Sequence, residues 1–235
     1  MYYYDWTYFI IVVPVFILAM VASGNVKSTF RKYAKVYSVS RITGAEAAER
    51  VLRGHGVTNV RIEQVSGSLT DNYDPRNNVI HLSQDVYSST SVAAIGVAAH
   101  EAGHACQYAD NYGPVRLRMA IIPMTNIGSQ LSVPLIILGI VLSGFSSIFY
   151  AMAYVGLFLF ALCVFFQLVT LPVEFNASHR ALESIDQQGM LSEEEIQGSK
   201  KVLHAAAMTY VAALAVAVAQ LLRFALLVSG GSRRD

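Results

Sequence analysis

His100, Glu101 and His104 form an H-E-x-x-H pattern within the stretch VAAHEAGHACQY. On an α-helix, residues four apart lie one turn apart on the same face, so both imidazoles can bind one Zn²⁺ ion. Glu101 projects from an adjacent position, where its carboxylate can take a proton from a metal-activated water. Among small apolar neighbours, these polar side chains would be costly without a partner. The pattern predicts a zinc site with two histidine ligands and Glu101 as general base.

A catalytic zinc site needs a third protein ligand and an open fourth position. Asp110 lies where a metzincin-type site places its third ligand, but the required glycine is replaced by Gln107. His179 and His204 have suitable chemistry and no spacing rule to support them. Glu174 is the first charged residue after a long apolar stretch, where a carboxylate is costly unless a cation or metal binds it. We therefore expect Glu174 to be the third ligand.

The composition indicates a membrane protein. Of the 235 residues, 54% are hydrophobic and only 14% are charged, against about 25% charged in soluble domains. The net charge of +1 and the lack of a basic stripe argue against a nucleic-acid partner. Cys106 and Cys163 lie far apart in apolar surroundings, so a disulfide framework is not expected.

Four apolar segments are long enough to cross a bilayer, which takes about 20 helical residues. We expect them at about residues 8–22, 121–142, 148–171 and 205–222, the last extending to Val228 at most. The stretch SGFSS (143–147) supplies a turn between the second and third, and Pro123 and Pro134 imply kinks. An aromatic cluster at the start resembles an interfacial belt; its members are Tyr2, Tyr3, Tyr4, Trp6 and Tyr8.

Charge gives the expected topology. Basic residues follow the first span instead of preceding it, the reverse of a signal peptide, so the segment after that span is expected in the cytoplasm. These residues are Lys27, Arg31, Lys32 and Lys35. Arg116, Arg118, Arg180, Lys200 and Lys201 agree with this assignment, whereas Arg233 and Arg234 contradict it. The same topology places Glu174 on the cytoplasmic side with the H-E-x-x-H helix.

The cytoplasmic part, about residues 24–118, is expected to be a small α+β unit. TGAEAAERVLRGHG is an amphipathic helix pattern with Thr43 and Glu46 at capping-box spacing. NVRIEQV and VIHLS have strand character, and the turn-rich GSLTDNYDPRNN between them predicts a short hairpin at a sheet edge. The H-E-x-x-H helix is expected to begin at one of residues 88–91 and to end near residues 111–114.

HEAGH followed, after a transmembrane hairpin, by EFNAS resembles the gluzincin membrane peptidases of the HtpX/Ste24 kind. More closely, the chain resembles the YugP-type family of neutral zinc metallopeptidases, over essentially its whole length. The second motif of HtpX/Ste24-like enzymes is E-F-x-A-D, whose glutamate binds zinc and whose aspartate supports a ligand histidine. Glu174, Phe175 and Ala177 match that motif, and Ser178 replaces the aspartate. Asn176 or Ser178 is then left to hydrogen-bond a ligand imidazole.

The resemblance implies a mainly α membrane protein with about four transmembrane helices and a zincin-like cytoplasmic unit. It implies Zn²⁺ as cofactor, a peptide or protein substrate, and a multi-pass location in the bacterial inner (plasma) membrane with the active site facing the cytoplasm. The expected division is an anchor (1–23), the zincin-like unit (24–118), a transmembrane hairpin (119–173), a cytoplasmic segment (174–204) and a last helix with tail (205–235).

The resemblance also implies that an extended peptide pairs with the edge strand before the H-E-x-x-H helix. That strand is expected to be Val79, Ile80, His81 and Leu82. His81 could line the substrate cleft beside that strand, although a strand histidine without a functional role is the more frequent case. An oxyanion stabiliser is expected as well, with His179 and His204 as candidates.

Two other functions compete with a zinc peptidase. A non-catalytic membrane protein could keep a structural or sensing zinc site, which four protein ligands would close. A metal transporter would place ionisable residues near the bilayer midplane, and the four apolar segments are nearly free of them. Three placed ligands favour the peptidase.

Overall fold

The computed structural model describes residues 6–231. The chain divides into two compact units. One, here called the apolar unit, comprises Met1–Val21, Leu117–Leu171 and Tyr210–Asp235; the other, the motif unit, comprises Ala22–Arg116 and Pro172–Thr209. The aromatic residues Tyr2, Tyr3 and Tyr4 and the tail residues Arg233 and Arg234 lie outside the described residues.

In the described part of the chain, four helices are long and apolar enough to cross a membrane. They are α1 (Val13–Tyr33, preceded by a π-helical turn at Tyr8–Val12), α5 (Gly113–Leu142), α6 (Ser147–Gln187) and α7 (Glu193–Gly231). Each is longer than its expected span, and the turn between α5 and α6 falls within the SGFSS stretch. Large apolar side chains such as Phe16, Val141 and Phe158 are exposed along them. Exposed apolar surface of this extent suits lipid contact, and the expectation of a mainly α membrane protein is confirmed.

In the apolar unit, small residues bring α5 and α6 close together. A Cβ added at Gly139 would lie 2.6 Å from the backbone nitrogen of Ala153, and one at Gly156 would lie 2.7 Å from the Ser132 carbonyl oxygen. Close backbone approach through small residues is the usual packing of membrane helices, because lipid offers no hydrophobic drive for association. The small core of this unit is Ile136, Ala153, Phe224 and Val228.

The motif unit contains the remaining elements and the adjoining ends of α1, α5, α6 and α7. These elements are α2 (Gly44–Gly54), β1 (Arg61–Val65), β2 (Asn72–Asp74), β3 (Val79–Ser83), α3 (Gln84–Tyr87) and α4 (Val92–Ala109). The predicted capping box of α2 is present, since Thr43 Oγ1 accepts from the Glu46 backbone N–H and Glu46 accepts from that of Thr43. Helix α4 begins after Ser91, whose hydroxyl accepts from the Ala94 N–H. Satisfying these N–H groups fixes where both helices start.

The sheet corrects one expectation. Its strand order is β1-β3-β2, with β1 parallel and β2 antiparallel to β3. The strand of Val79, Ile80, His81 and Leu82 is therefore central, and the expectation that it forms an edge is wrong. The hairpin joins β2 to β3, and β2 arises within the stretch expected to be only a turn.

Backbone conformation and one carboxylate explain this order. Gly67 (φ +108°) and Leu69 (φ +58°) adopt left-handed conformations after β1, and Asn78 (φ +53°) does so just before β3. The first two redirect the chain away from a direct hairpin with β1. The Asp71 carboxylate then accepts from the backbone N–H of Ser83 at 2.7 Å and from its hydroxyl at 3.0 Å. These bonds hold the β2 segment beside β3.

Helix α4 lies in the core of the motif unit, with Val92, Ile95 and the alanines between residues 93 and 102 fully buried. Two of its glycines permit close contact with other helices. A Cβ at Gly96 would lie 2.2 Å from Ser199 Oγ of α7, and one at Gly103 would lie 2.7 Å from the Ala177 carbonyl oxygen of α6. The α4 backbone thus touches both partners directly.

Candidate metal centre

The side chains of His100, His104 and Glu174 meet in the motif unit, the first two on α4 and the third on α6. Each histidine Nε2 lies 3.5 Å from Glu174 Oε2. One ligand atom from each residue can be chosen so that all three lie within 4.8 Å of one another. The two imidazole side chains are 14% and 13% exposed and the carboxylate 4%. The site is therefore nearly enclosed, with a little access left on the histidine side.

The donor set and its spacing fit a zinc ion. Zn²⁺ takes imidazole nitrogen and carboxylate oxygen at about 2.0–2.2 Å, so two ligand atoms of a tetrahedral site lie roughly 3.3 Å apart. The observed 3.5 Å between each Nε2 and the Glu174 oxygen is close to that separation. The imidazole planes are inclined at 81°, with ring centroids 4.6 Å apart. One turn of helix brings both nitrogens toward the same carboxylate.

A chain of hydrogen bonds orients His104. Its Nδ1 lies 3.0 Å from Gln107 Oε1. The Gln107 amide nitrogen donates to the Val173 carbonyl oxygen at 2.8 Å and to Asn176 Oδ1 at 3.0 Å. Asn176 Oδ1 also accepts from the Arg180 guanidinium at 3.0 Å, and Arg180 pairs with Asp110.

This chain determines the tautomer of the neutral imidazole. Arginine can only donate hydrogen bonds, so the Asn176 atom beside Arg180 must be the acceptor oxygen. Gln107 then donates through its amide nitrogen and accepts through Oε1. The Nδ1 of His104 must therefore carry the proton, which leaves the Nε2 lone pair facing Glu174. Metal binding needs this free lone pair, and metal-binding histidines usually donate their other ring N–H to a fixed acceptor.

His100 has a simpler support. Ser178 Oγ lies 3.1 Å from His100 Nδ1. Since a hydroxyl both donates and accepts, this contact orients the ring without selecting a tautomer by itself. Ser178 lies one helical turn after Glu174 on α6, so one helix supplies both the carboxylate and the support for the opposite imidazole.

Glu101 is 9% exposed and precedes the buried Ala102 on α4. Burial raises the pKa of the Glu101 carboxyl above its usual range, and the neighbouring charges of His100 and His104 lower it in part. For His104, burial lowers the pKa, but the hydrogen bond that the protonated ring would donate to Glu174 and the charge of Glu101 outweigh it and raise the pKa overall. The groups at this site are electrostatically coupled, which is typical of functional sites.

The comparisons with known proteins agree on a family. The sequence profile of a family described as "Putative neutral zinc metallopeptidase" matches residues 8–229. The chain belongs to this family. It is also 46% identical over 214 residues to "Putative membrane protease YugP" of Bacillus subtilis (strain 168), covering 91% of this chain and 93% of that protein. No solved structure matches the chain.

Other residues considered as ligands or stabilisers lie elsewhere in this member of the zinc metallopeptidase family. Asp110 pairs with Arg180 and is not one of the three grouped donors. His179 is 75% exposed and lies 3.9 Å from Glu183. His204 is exposed and lines a different cleft, between α1 and α7. His81 lies on the central strand.

Two residues that orient the centre were not among the candidates. From the sequence, Gln107 is the residue that replaces a metzincin glycine, and Arg180 is a positive charge that agrees with the expected topology. One signal was available for Gln107: it lies three residues after His104, a spacing that brings side chains together on a helix. For Arg180 the sequence offered no such signal, because its partner Asp110 is 70 residues away.

Proposed function

We propose that this family member is a membrane zinc metallopeptidase of the gluzincin type, which hydrolyses peptide bonds. His100, His104 and Glu174 bind the metal, and Glu101 is the general base. The observation that carries the proposal is the meeting of three ligand atoms within 4.8 Å beside a buried glutamate. Membership of a zinc peptidase family supports the same conclusion.

When bound, the zinc ion would act as a Lewis acid that lowers the pKa of a water molecule and polarises the carbonyl group of the peptide bond. Gln107 and Ser178 hold the two imidazoles in position beforehand, so little reorganisation is needed at the centre. Glu101 accepts the proton of the attacking water and can return it to the leaving amine. Its low exposure strengthens its basicity, because burial disfavours the carboxylate.

The alternative, a structural or sensing zinc site, would need a fourth protein ligand. Within residues 6–231, the group that could hold a metal contains only His100, His104 and Glu174. Three protein ligands leave one position for water or substrate, as in catalytic zinc sites. This count favours the peptidase over the structural alternative.

The corrected strand order moves the proposed substrate position to β2. As a sheet edge, β2 has one side available for pairing with an extended peptide. Strand β2 also lies against α4, the H-E-x-x-H helix, since the ring centroids of Tyr73 on β2 and Tyr108 on α4 are 5.4 Å apart. A peptide paired with Asn72–Asp74 would run beside the helix that carries the two histidine ligands. Pairing through the backbone is tolerant of sequence, which suits a peptidase with broad specificity.

The proposed location is the bacterial plasma membrane, with the active site on the cytoplasmic side. Four apolar helices support the membrane assignment. The excess of lysine and arginine in the segments that adjoin them supports the orientation. Glu174 and the H-E-x-x-H helix belong to the same compact unit, as this topology requires.

The substitution Glu101→Gln tests the mechanism. We expect the variant to bind zinc as wild type does and to lose hydrolysis of an unfolded protein such as casein, because the amide cannot accept the proton. Glu49→Gln is the matched control, since Glu49 is a half-exposed glutamate paired with Arg53 on α2. A Glu101→Gln protein that cleaves casein at the wild-type rate would refute the assigned base.

A further inference from the structure

A cleft in the motif unit lies between α1 and α7. Its volume is about 580 Å³, and it contains none of the residues of the metal centre. Lys32 contributes to its lining from α1, and Lys200, Lys201 and His204 contribute from α7. Two helices thus bring three ammonium groups and an imidazole to one small space.

The positive charge of this cleft is not neutralised by acidic side chains. Among residues 6–231, no aspartate or glutamate lines it. In the described part of the chain, Lys32, Lys200 and Lys201 form no ion pair, whereas Arg53 pairs with Glu49 and Arg61 with Glu63. Uncompensated like charges in a cleft raise the local potential and attract an anion.

Packing between the two helices gives the cleft a defined shape. A Cβ at Gly198 would lie 2.8 Å from the Tyr33 ring, so the ring rests directly on the α7 backbone. The Lys32 ammonium lies 5.5 Å from the centroid of the same ring. On α1, the Thr29 hydroxyl donates to Asn25 Oδ1 at 3.4 Å, which leaves the Asn25 NH₂ group to donate to a ligand. Cationic groups and neutral donors therefore occur together.

The position along both helices indicates where the ligand comes from. The apolar stretch of α1 ends shortly before Asn25, and that of α7 begins at about Ala205. Each helix continues without a break between the cleft and its apolar segment. Exposed Val21 of α1 and exposed Met208 of α7 lie about one turn further into those segments. The cleft is thus at the level where both helices pass from apolar to polar residues, which in a bilayer is the level of the lipid headgroups.

We propose that this cleft binds the phosphate group of an anionic phospholipid, with Lys32 and Lys200 as its principal charge partners. Lysine binds phosphate as a compact point charge, and basic pockets between membrane helices are suited to lipid headgroups. The acyl chains remain in the bilayer while the headgroup ties α1 to α7. This site is independent of the zinc centre and does not rest on the proposed peptidase activity.

The test uses the full-length protein in detergent and measures lipid binding by native mass spectrometry. The probes are phosphatidylglycerol and phosphatidylcholine with matched chains, together with inorganic phosphate and glycerol phosphate as soluble competitors. The double variant Lys32→Gln/Lys200→Gln removes two charges from the cleft. The control Lys27→Gln/Lys35→Gln removes two from the same region of the chain, but both lysines line another groove, which also contains Asp85.

We expect phosphatidylglycerol to bind more tightly than phosphatidylcholine, and the cleft double variant to lose about tenfold or more in its affinity. The control variant should change by less than about twofold. Equal losses in both double variants, or equal binding of the two lipids, would overturn the proposal. Displacement of the lipid by an equal concentration of a soluble phosphate would identify free phosphate as the ligand and overturn it as well. Zinc content of each variant verifies folding separately.

Discussion

Gln107→Leu tests whether the hydrogen-bond chain orients the proposed metal ligands. Gln107 is fully buried and bonds to His104 Nδ1, the Val173 carbonyl and Asn176 Oδ1 at 3.0, 2.8 and 3.0 Å. Leucine has a similar size and can make none of these bonds. The His104 imidazole would lose the acceptor that fixes its tautomer. The Val173 carbonyl oxygen, one residue before Glu174 on α6, would lose the amide N–H that Gln107 donates to it.

The structure separates two consequences of this change. Removing a hydrogen-bond partner from a metal-binding histidine lowers metal affinity about 10–100-fold, which corresponds to roughly 1.4–2.7 kcal/mol. Leaving buried polar groups unsatisfied costs about 1–3 kcal/mol in the stability of the metal-free protein. The first effect acts on zinc binding and the second on folding, so each needs its own measurement.

Zinc affinity is measured by competition with a chromophoric chelator, and stability by thermal unfolding of the metal-free protein. Gln187→Leu is the control, because Gln187 is an exposed amide at the end of α6 that bonds only to Glu183 among the described residues. A Gln107→Leu protein whose zinc affinity stays within about twofold of wild type would refute the orienting role. An equal loss in Gln187→Leu would refute it too.

Two further predictions concern packing and burial. Gly103→Ala should lower the free energy of unfolding by about 1–3 kcal/mol, because the added Cβ would lie 2.7 Å from the Ala177 carbonyl oxygen. Gly24→Ala is the control and should not lower it, because Gly24 has open space around it. Denaturant unfolding measures both variants, and equal losses in the two would contradict this prediction. Burial raises the pKa of the Cys106 thiol to about 11, so iodoacetamide should modify Cys106 only after unfolding. Peptide mapping that finds it labelled in the native protein would contradict the structure.

The parts of the fold that follow from local patterns could be predicted from the sequence. The four apolar segments, the capping box at Thr43 and the start of α4 depend on residues close together in the chain. The two histidines share a face because of helical periodicity alone. Glu174 required one more argument, that a carboxylate at the end of an apolar stretch needs a partner.

The remaining features depend on contacts between distant residues. The strand order does not follow from the sequence, because the left-handed conformation at Leu69 is not evident from residue type and because Asp71 acts on Ser83 across the sheet. The hydrogen-bond chain from Asp110 through Arg180 and Asn176 to Gln107 joins α4 and α6, which are separated in the sequence by a long apolar segment. A lysine or arginine beside a membrane span is already explained by the positive-inside rule. For that reason the sequence gives no cause to expect the contact between Arg180 and Asp110.

The zinc content of purified wild-type protein and of Glu174→Ala tests the central claim most directly. Glu183→Ala, which removes a half-exposed glutamate of the same helix, is the matched control. We predict about one zinc ion per chain in wild type and in Glu183→Ala, and almost none in Glu174→Ala, because two histidines alone do not complete the site. Equal zinc content in all three proteins, or its absence from wild type, would contradict the assigned metal centre.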